Sequence, residues 1–167
     1  MSRDIKSNGT PITILGQELK TGDKAPDFVL IKNDMTEAKL QDFIGKPVIM
    51  SIVPSVDTPV CSIETRRFNN EATKHKNVTF LTISKDLPFA QARWCAAQDV
   101  KDLITLSDYR NPDFGLDYGV LIKETALLTR AVYVLDNKGI IQYIEFVEDI
   151  SKEPDYKAAI DAAEALV

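Results

Sequence analysis

Two uncharged runs separated by one helix-length segment constrain this chain more than any other feature. Residues 48–53 read VIMSIV and residues 77–84 read NVTFLTIS, both rich in β-branched side chains. Strands buried on both faces of a parallel sheet have this continuous apolar character, whereas half-exposed strands alternate. Pro54 stops the first run, and Thr58-Pro59 starts a helix. A residue before Pro is pushed to the extended backbone that an N-cap needs, and Thr can accept from first-turn N–H groups. Pro at the first helical position gives up only an N–H that would be unpaired anyway. The helix should run to about His75. Strand, helix, strand in that order demands a right-handed crossover and an α/β architecture.

The same alternation continues. Residues 88–98 form a second helix, with Phe89, Ala92 and Ala96 spaced as its core stripe. A short apolar piece follows at 103–106. Residues 130–135 and 140–146 flank the turn Asp136-Asn137-Lys138-Gly139 as a hairpin, and Pro154 opens a last helix with Tyr156, Ala159, Ile160 and Ala163 on one face. Upstream, residues 11–23 read as a hairpin turning at Gly16, residues 26–31 as a strand returning through 37–40, and residues 41–44 as one helical turn. Residues 111–128 carry no clear period. The order β-α-β-α-β-β-α is that of a thioredoxin-like fold: one domain over residues 1–167, a mixed central sheet flanked by helices, and an N-terminal β-hairpin extension.

Charge excludes several partners. The chain of 167 residues has net charge −5 and a pI near 4.9, with no Lys/Arg stripe, which argues against nucleic acid or an anionic membrane surface. No segment approaches the roughly 20 apolar residues that span a bilayer, and the first residues lack a secretion-type apolar core, so a cytoplasmic protein is expected. Two cysteines and one histidine are too few for a disulfide framework or a structural zinc site, and no cofactor is expected.

Cys61 and Cys95 could simply be small buried hydrophobes. Position argues for more at Cys61. Counted from a Thr58 cap it falls in the first turn, where unpaired N–H groups and the helix dipole favour an anion, so its thiol should tend toward the nucleophilic thiolate. At about 100° per residue, Thr65, Phe68 and Ala72 lie within about 40° of it, which turns Cys61 toward the sheet. Cys95 follows Trp94 at the border of its helix's stripe and should be partly reachable. If both helices lie on one face, their axes are about 8–10 Å apart, whereas a disulfide needs Cα atoms within about 7 Å. Joining the two would require the first turn after Thr58 to unwind.

Residues 54–61, PSVDTPVC, match the P-x-x-x-T-x-x-C motif of the peroxiredoxins. The T-P-V-C form, Arg93-Trp94-Cys95, Phe114-Gly115 and Tyr118-Gly119-Val120 resemble the thiol peroxidase branch of that family. The resemblance covers nearly the whole chain. It implies a thiol-dependent peroxidase reducing hydrogen peroxide and alkyl hydroperoxides, with Cys61 as the peroxidatic cysteine and Cys95 as the resolving one. The two would form an intramolecular redox disulfide that thioredoxin reopens. It further implies that Thr58 hydrogen-bonds the thiolate and peroxide, that Pro54 shields the site, that Arg130 is the active-site arginine, and that the protein is a homodimer. Without the motif, Arg130 reads as a surface charge at a strand start, Arg66, Arg67 and Arg93 as solvated helix charges, His75 as a helix cap and Trp94 as packing. A thioredoxin-like disulfide reductase fits the fold but lacks C-x-x-C, and a copper-delivery module would want two close cysteines with a well-placed His.

Ionisation alone cannot make a peroxidase. A free thiol with a pKa near 8.5 is roughly 3% thiolate at pH 7, so full ionisation raises its rate about 30-fold, or about 2 kcal/mol of barrier. Donors aimed at the leaving oxygen must supply the rest, and Thr58, Arg130 and the Cys61 N–H are the candidates.

Overall fold

The computed structural model describes residues 4–167. Its centre is the strand pair read first from the sequence. β6 (Val48–Ile52) is buried along its whole length and pairs in parallel with β7 (Thr79–Ser84), joined by α1 (Pro59–Lys74). β7 pairs in parallel with β8 (Ile104–Ser107) through α2 (Pro88–Ala97). Beyond β6, β10 (Ala131–Leu135) and β11 (Ile141–Phe146) add antiparallel. On the other side, β8 is followed by β4 (Val29–Ile31) and β5 (Glu37–Lys39). The seven-stranded order is β11-β10-β6-β7-β8-β4-β5.

Alternation along β6 assigns the two faces. Val48, Met50 and Ile52 join Leu81, Ile83, Leu106, Phe114, Tyr118 and Tyr133 in one core, which α3 (Asp113–Asp117) helps to cover. Ile49 joins Phe80, Val132 and Val134 on the opposite face, under Phe68 and Ala72 of α1, Cys95 of α2, and Tyr156, Ala159, Ile160 and Ala163 of α4 (Tyr156–Glu164). The face expected of α4 is thus the one it buries. α1, α2 and α4 lie on the same side of the sheet, and no helix among the described residues is long and apolar enough to cross a membrane.

Three expectations change. The N-terminal hairpin turns at Asn8-Gly9, with φ of +50° and +82°, and joins β1 (Ile5–Ser7) to β2 (Thr10–Ile12). Two residues of positive φ match the twist of a two-residue hairpin, which Asn-Gly tolerates. Gly16 does not turn a hairpin. β3 (Ile14–Leu15) pairs instead with β9 (Leu121–Ile122), and a Cβ on Gly16 would collide with the Leu116 carbonyl oxygen. Residues 111–128, which carried no clear period, contain α3 and β9.

α2 also turns the other way. Phe89 is 66% exposed and Ala96 is exposed, while Pro88, Gln91 and Cys95 face the sheet. The sheet surface below is polar: Thr82, Ser84, Thr105 and Ser107 are all buried there. Gln91 donates to Ser84 Oγ at 3.0 Å and to the Leu106 carbonyl at 2.9 Å. A buried amide that finds acceptors outweighs the apolar periodicity of its own helix.

Candidate active site

The chain leaves β6 at Ile52, passes the buried Pro54, and enters α1 through a tight turn in which Thr58 N–H donates to the Ser55 carbonyl at 3.3 Å. Thr58 is the N-cap residue with extended backbone (φ −93°, ψ 152°) and Pro59 follows it, as expected. Its hydroxyl does not cap the helix. It donates back to the Ser55 carbonyl at 3.1 Å, and the first helical bond runs from Ser62 N–H to the Thr58 carbonyl at 2.9 Å. The N–H groups of Val60 and Cys61 therefore have no acceptor within the helix.

Cys61 is fully buried on the sheet side of α1 together with Thr65, Phe68 and Ala72. Its sulfur receives a hydrogen bond from Arg130 Nη2 at 3.0 Å. Arg130 stands immediately before β10 and is only 2% exposed, so it is not the surface charge that its strand position alone suggests. Its other donors are equally committed: Nη1 to Glu64 Oε1 at 2.9 Å and Nε to the Ile150 carbonyl at 2.9 Å. The second Glu64 oxygen accepts from Ser51 Oγ of β6. Burial pushes the Glu64 carboxyl above its ordinary range against the pull of Arg130. Burial also opposes the Arg130 charge, but Glu64 and then Cys61 hold the guanidinium above its usual value. Three protein acceptors thus fix one planar fork so that Nη2 points at sulfur.

Glu64 and Ser51 escaped the sequence reading. Glu64 lies three residues after Cys61, about 60° away on the helix, so it shares the buried face. A carboxylate on that face needs a cation, and Arg130 supplies it.

Cys95 sits apart from this cluster. It is buried at 8% exposure rather than partly reachable, and packs with Phe80 and Val100. Its sulfur is 3.4 Å from Thr105 Oγ1, whose proton goes to Asn33 Oδ1 at 2.8 Å, so the thiol donates. Cys61 is the third residue of α1 and Cys95 the eighth of α2, and both cysteines are free. The two thiols therefore stand in different helices with different partners, Cys61 facing Arg130 and Cys95 facing Thr105. His75 ends α1 and pairs with Glu164 at 2.8 Å, Arg66, Arg67 and Arg93 are exposed, and Trp94 packs against the core beneath α2. Among the described residues, no group of three or more His, Cys, Asp or Glu side chains is placed to hold a metal.

The model of the redoxin family matches residues 20–160. The chain belongs to the redoxin family. This redoxin is 53% identical to the thiol peroxidase of Oceanobacillus iheyensis over 94% of its own length and 96% of that protein. It is 50% identical to the thiol peroxidase of Bacillus subtilis over 98% of both chains. The crystal structure of a peroxiredoxin-like protein from Aquifex aeolicus matches this redoxin with a TM-score of 0.93 at 35% identity, covering 100% of this chain and 99% of that one.

Proposed function

We propose that this redoxin is a thiol-dependent peroxidase of the peroxiredoxin type, reducing hydrogen peroxide and alkyl hydroperoxides. The observation that carries the reading is Arg130 Nη2 lying 3.0 Å from the sulfur of a fully buried Cys61 at a helix start. Thiolate sulfur attacks the outer oxygen of the hydroperoxide. The O–O bond breaks, Cys61 becomes a sulfenic acid, and the departing alkoxide or hydroxide takes a proton to leave as alcohol or water. Negative charge grows on the departing oxygen, and donors fixed beforehand lower that barrier most. Arg130 is one. The uncommitted N–H groups of Val60 and Cys61 are the others, and Thr58 Oγ1 joins them by rotating away from Ser55. Pro54 closes the site against water.

Cys95 is the resolving thiol of this reading. Its sulfur attacks the sulfenic sulfur, forming the Cys61–Cys95 disulfide and releasing water. A dithiol protein such as thioredoxin then exchanges it back to two thiols. Two buried thiols on separate helices must come within a disulfide's Cα spacing of less than about 7 Å, so the first turn of α1 unwinds before resolution. The reading also carries the family's homodimer, which sedimentation checks, and places the enzyme in the cytoplasm.

Hydroperoxide-dependent NADPH oxidation through thioredoxin and its reductase tests the assignment. Cys61→Ser should abolish turnover and leave no sulfenic acid. Cys95→Ser should trap sulfenic acid on Cys61 without thioredoxin-linked turnover. Full turnover by Cys95→Ser would make Cys95 merely structural, and turnover by Cys61→Ser would remove the nucleophile.

A further inference from the structure

The Asp86 side chain, in the connection between β7 and α2, accepts three hydrogen bonds from two segments far apart in sequence. Ser55 Oγ donates to Oδ1 at 2.7 Å, while the Val56 N–H at 2.8 Å and Ser84 Oγ at 2.6 Å donate to Oδ2. Its backbone is tied down too, because Ser107 Oγ of β8 donates to the Asp86 carbonyl. On one side, then, Asp86 is fastened to two central strands that the catalytic cycle leaves in place. On the other it grips residues 55 and 56, which lead directly into the first turn of α1. The grip extends further, since the Ser55 carbonyl receives both the N–H and the hydroxyl of Thr58, at 3.3 and 3.1 Å.

We infer that Asp86 is a latch: a positioning residue that sets how often the peroxidatic turn opens, acting through Ser55 and Val56 and touching no reacting atom. The inference rests on the peroxidase reading above. The latch requires that the two loop bonds break when the first turn of α1 unwinds, while the bonds to Ser84 and Ser107 persist. Breaking the loop bonds therefore shifts only the balance between closed and open forms. Peroxide attack needs the closed form and disulfide formation the open one. While the closed form dominates, a tenfold rise in the small open population multiplies the resolution rate by ten and scarcely changes the peroxide step. A charge-assisted hydrogen bond lost from one state only is worth about that factor.

Single turnover with hydrogen peroxide separates the two steps. Sulfenic acid is trapped in the Cys95→Ser background. Disulfide formation is followed by the fluorescence of Trp94, the only tryptophan, adjacent to Cys95. Asp86→Asn should form the disulfide about tenfold faster, with the peroxide step unchanged within about twofold, and should accumulate less Cys61 sulfinic acid under excess peroxide. Ser55→Ala, which removes one of the two loop bonds, should shift the same way by less, and serves if Asp86→Asn does not fold. Asp136→Asn is the control. Asp136 also accepts three hydrogen bonds, from Lys138, Ile140 and Gln142, but lies beyond the far end of β10. Its loss should leave the resolution rate alone. Resolution that is unchanged or slower in Asp86→Asn and Ser55→Ala, or equally faster in Asp136→Asn, overturns the latch. Absence of the disulfide in the wild type overturns the peroxidase reading itself.

Discussion

Residue by residue, the site is a problem of committing one guanidinium. Arg130 could rotate freely if only the thiol held it. Glu64 and the Ile150 carbonyl take its other edges, so the fork arrives already aimed. The charge of Glu64 is held at a cost, because its carboxyl is fully buried and pushed up. In the unfolded chain it loses its proton near the ordinary value of 4.5, and in the folded chain only at higher pH. Folding therefore loses stability as pH rises through that interval. The stability of Glu64→Gln relative to wild type should shift in the variant's favour as pH rises from below 4.5 toward neutrality, read by denaturant unfolding at both pH values. Its peroxide rate should nevertheless drop about tenfold, because a neutral amide grips Arg130 less firmly. A difference that stays flat or moves against the variant as pH rises would mean that the Arg130 charge outweighs burial. Thr58 gives the complementary lesson. Its helix-start position was legible, but its hydroxyl was not, because it donates to the Ser55 carbonyl three residues earlier instead of accepting from a first-turn N–H.

At the scale of elements, packing partners decided what local pattern could not. The strands at 48–53 and 77–84 were readable because both faces are buried, and the helix after Thr58 because Thr58-Pro59 marks its start and Phe68 and Ala72 its buried face. α2 was misread because its periodicity describes the helix alone, while the polar surface of β7 and β8 beneath it belongs to distant sequence. The first hairpin was within reach, since Asn8-Gly9 is a strong turn signal, and Gly16 drew the turn away from it. That hairpin is a two-stranded sheet of its own, tied to the segment after β11. Asp149 accepts from the N–H groups of Asn8 and Gly9 at 3.0 and 2.9 Å, and Lys6 N–H and carbonyl bracket it through Glu148 and Ile150. The Ser151 hydroxyl and N–H, followed by the Gly9 N–H, hold the Asp149 carboxyl well below its usual 3.8. A depressed folded value stabilises the clamp above the ordinary one and is lost as pH falls through and below it. Hydrogen exchange at Asn8 and Gly9 should thus lose protection on acidification below pH 3.8 in wild type and vary less in Asp149→Asn. Pairwise comparison of the reduced and disulfide forms should show protection lost at the first hydrogen-bonded amides of α1, from Ser62 on, and kept in its later turns. Equal protection in both forms would contradict the unwinding.

Taken whole, the molecule assembles its site from pieces that no single segment contains. β6 brings Ser51, α1 brings Cys61 and Glu64, the start of β10 brings Arg130, and the loop after β11 brings the Ile150 carbonyl. The sheet order places β10 beside β6, which is why a residue 69 positions from Cys61 in sequence touches its sulfur. The family motif could name Arg130, but only the fold explains its burial and its aim. In the proposed peroxidase, the aim of Arg130 counts for more than thiol acidity, since full ionisation contributes only about 30-fold. Arg130→Met tests it most directly, with hydrogen peroxide and iodoacetamide offered to the reduced protein in parallel. Alkylation needs the thiolate but no donor at a departing oxygen. The peroxide rate should fall about 100- to 1,000-fold and the alkylation rate by no more than about 30-fold. Equal losses in the two rates would reduce Arg130 to an effect on the thiol alone and contradict the account.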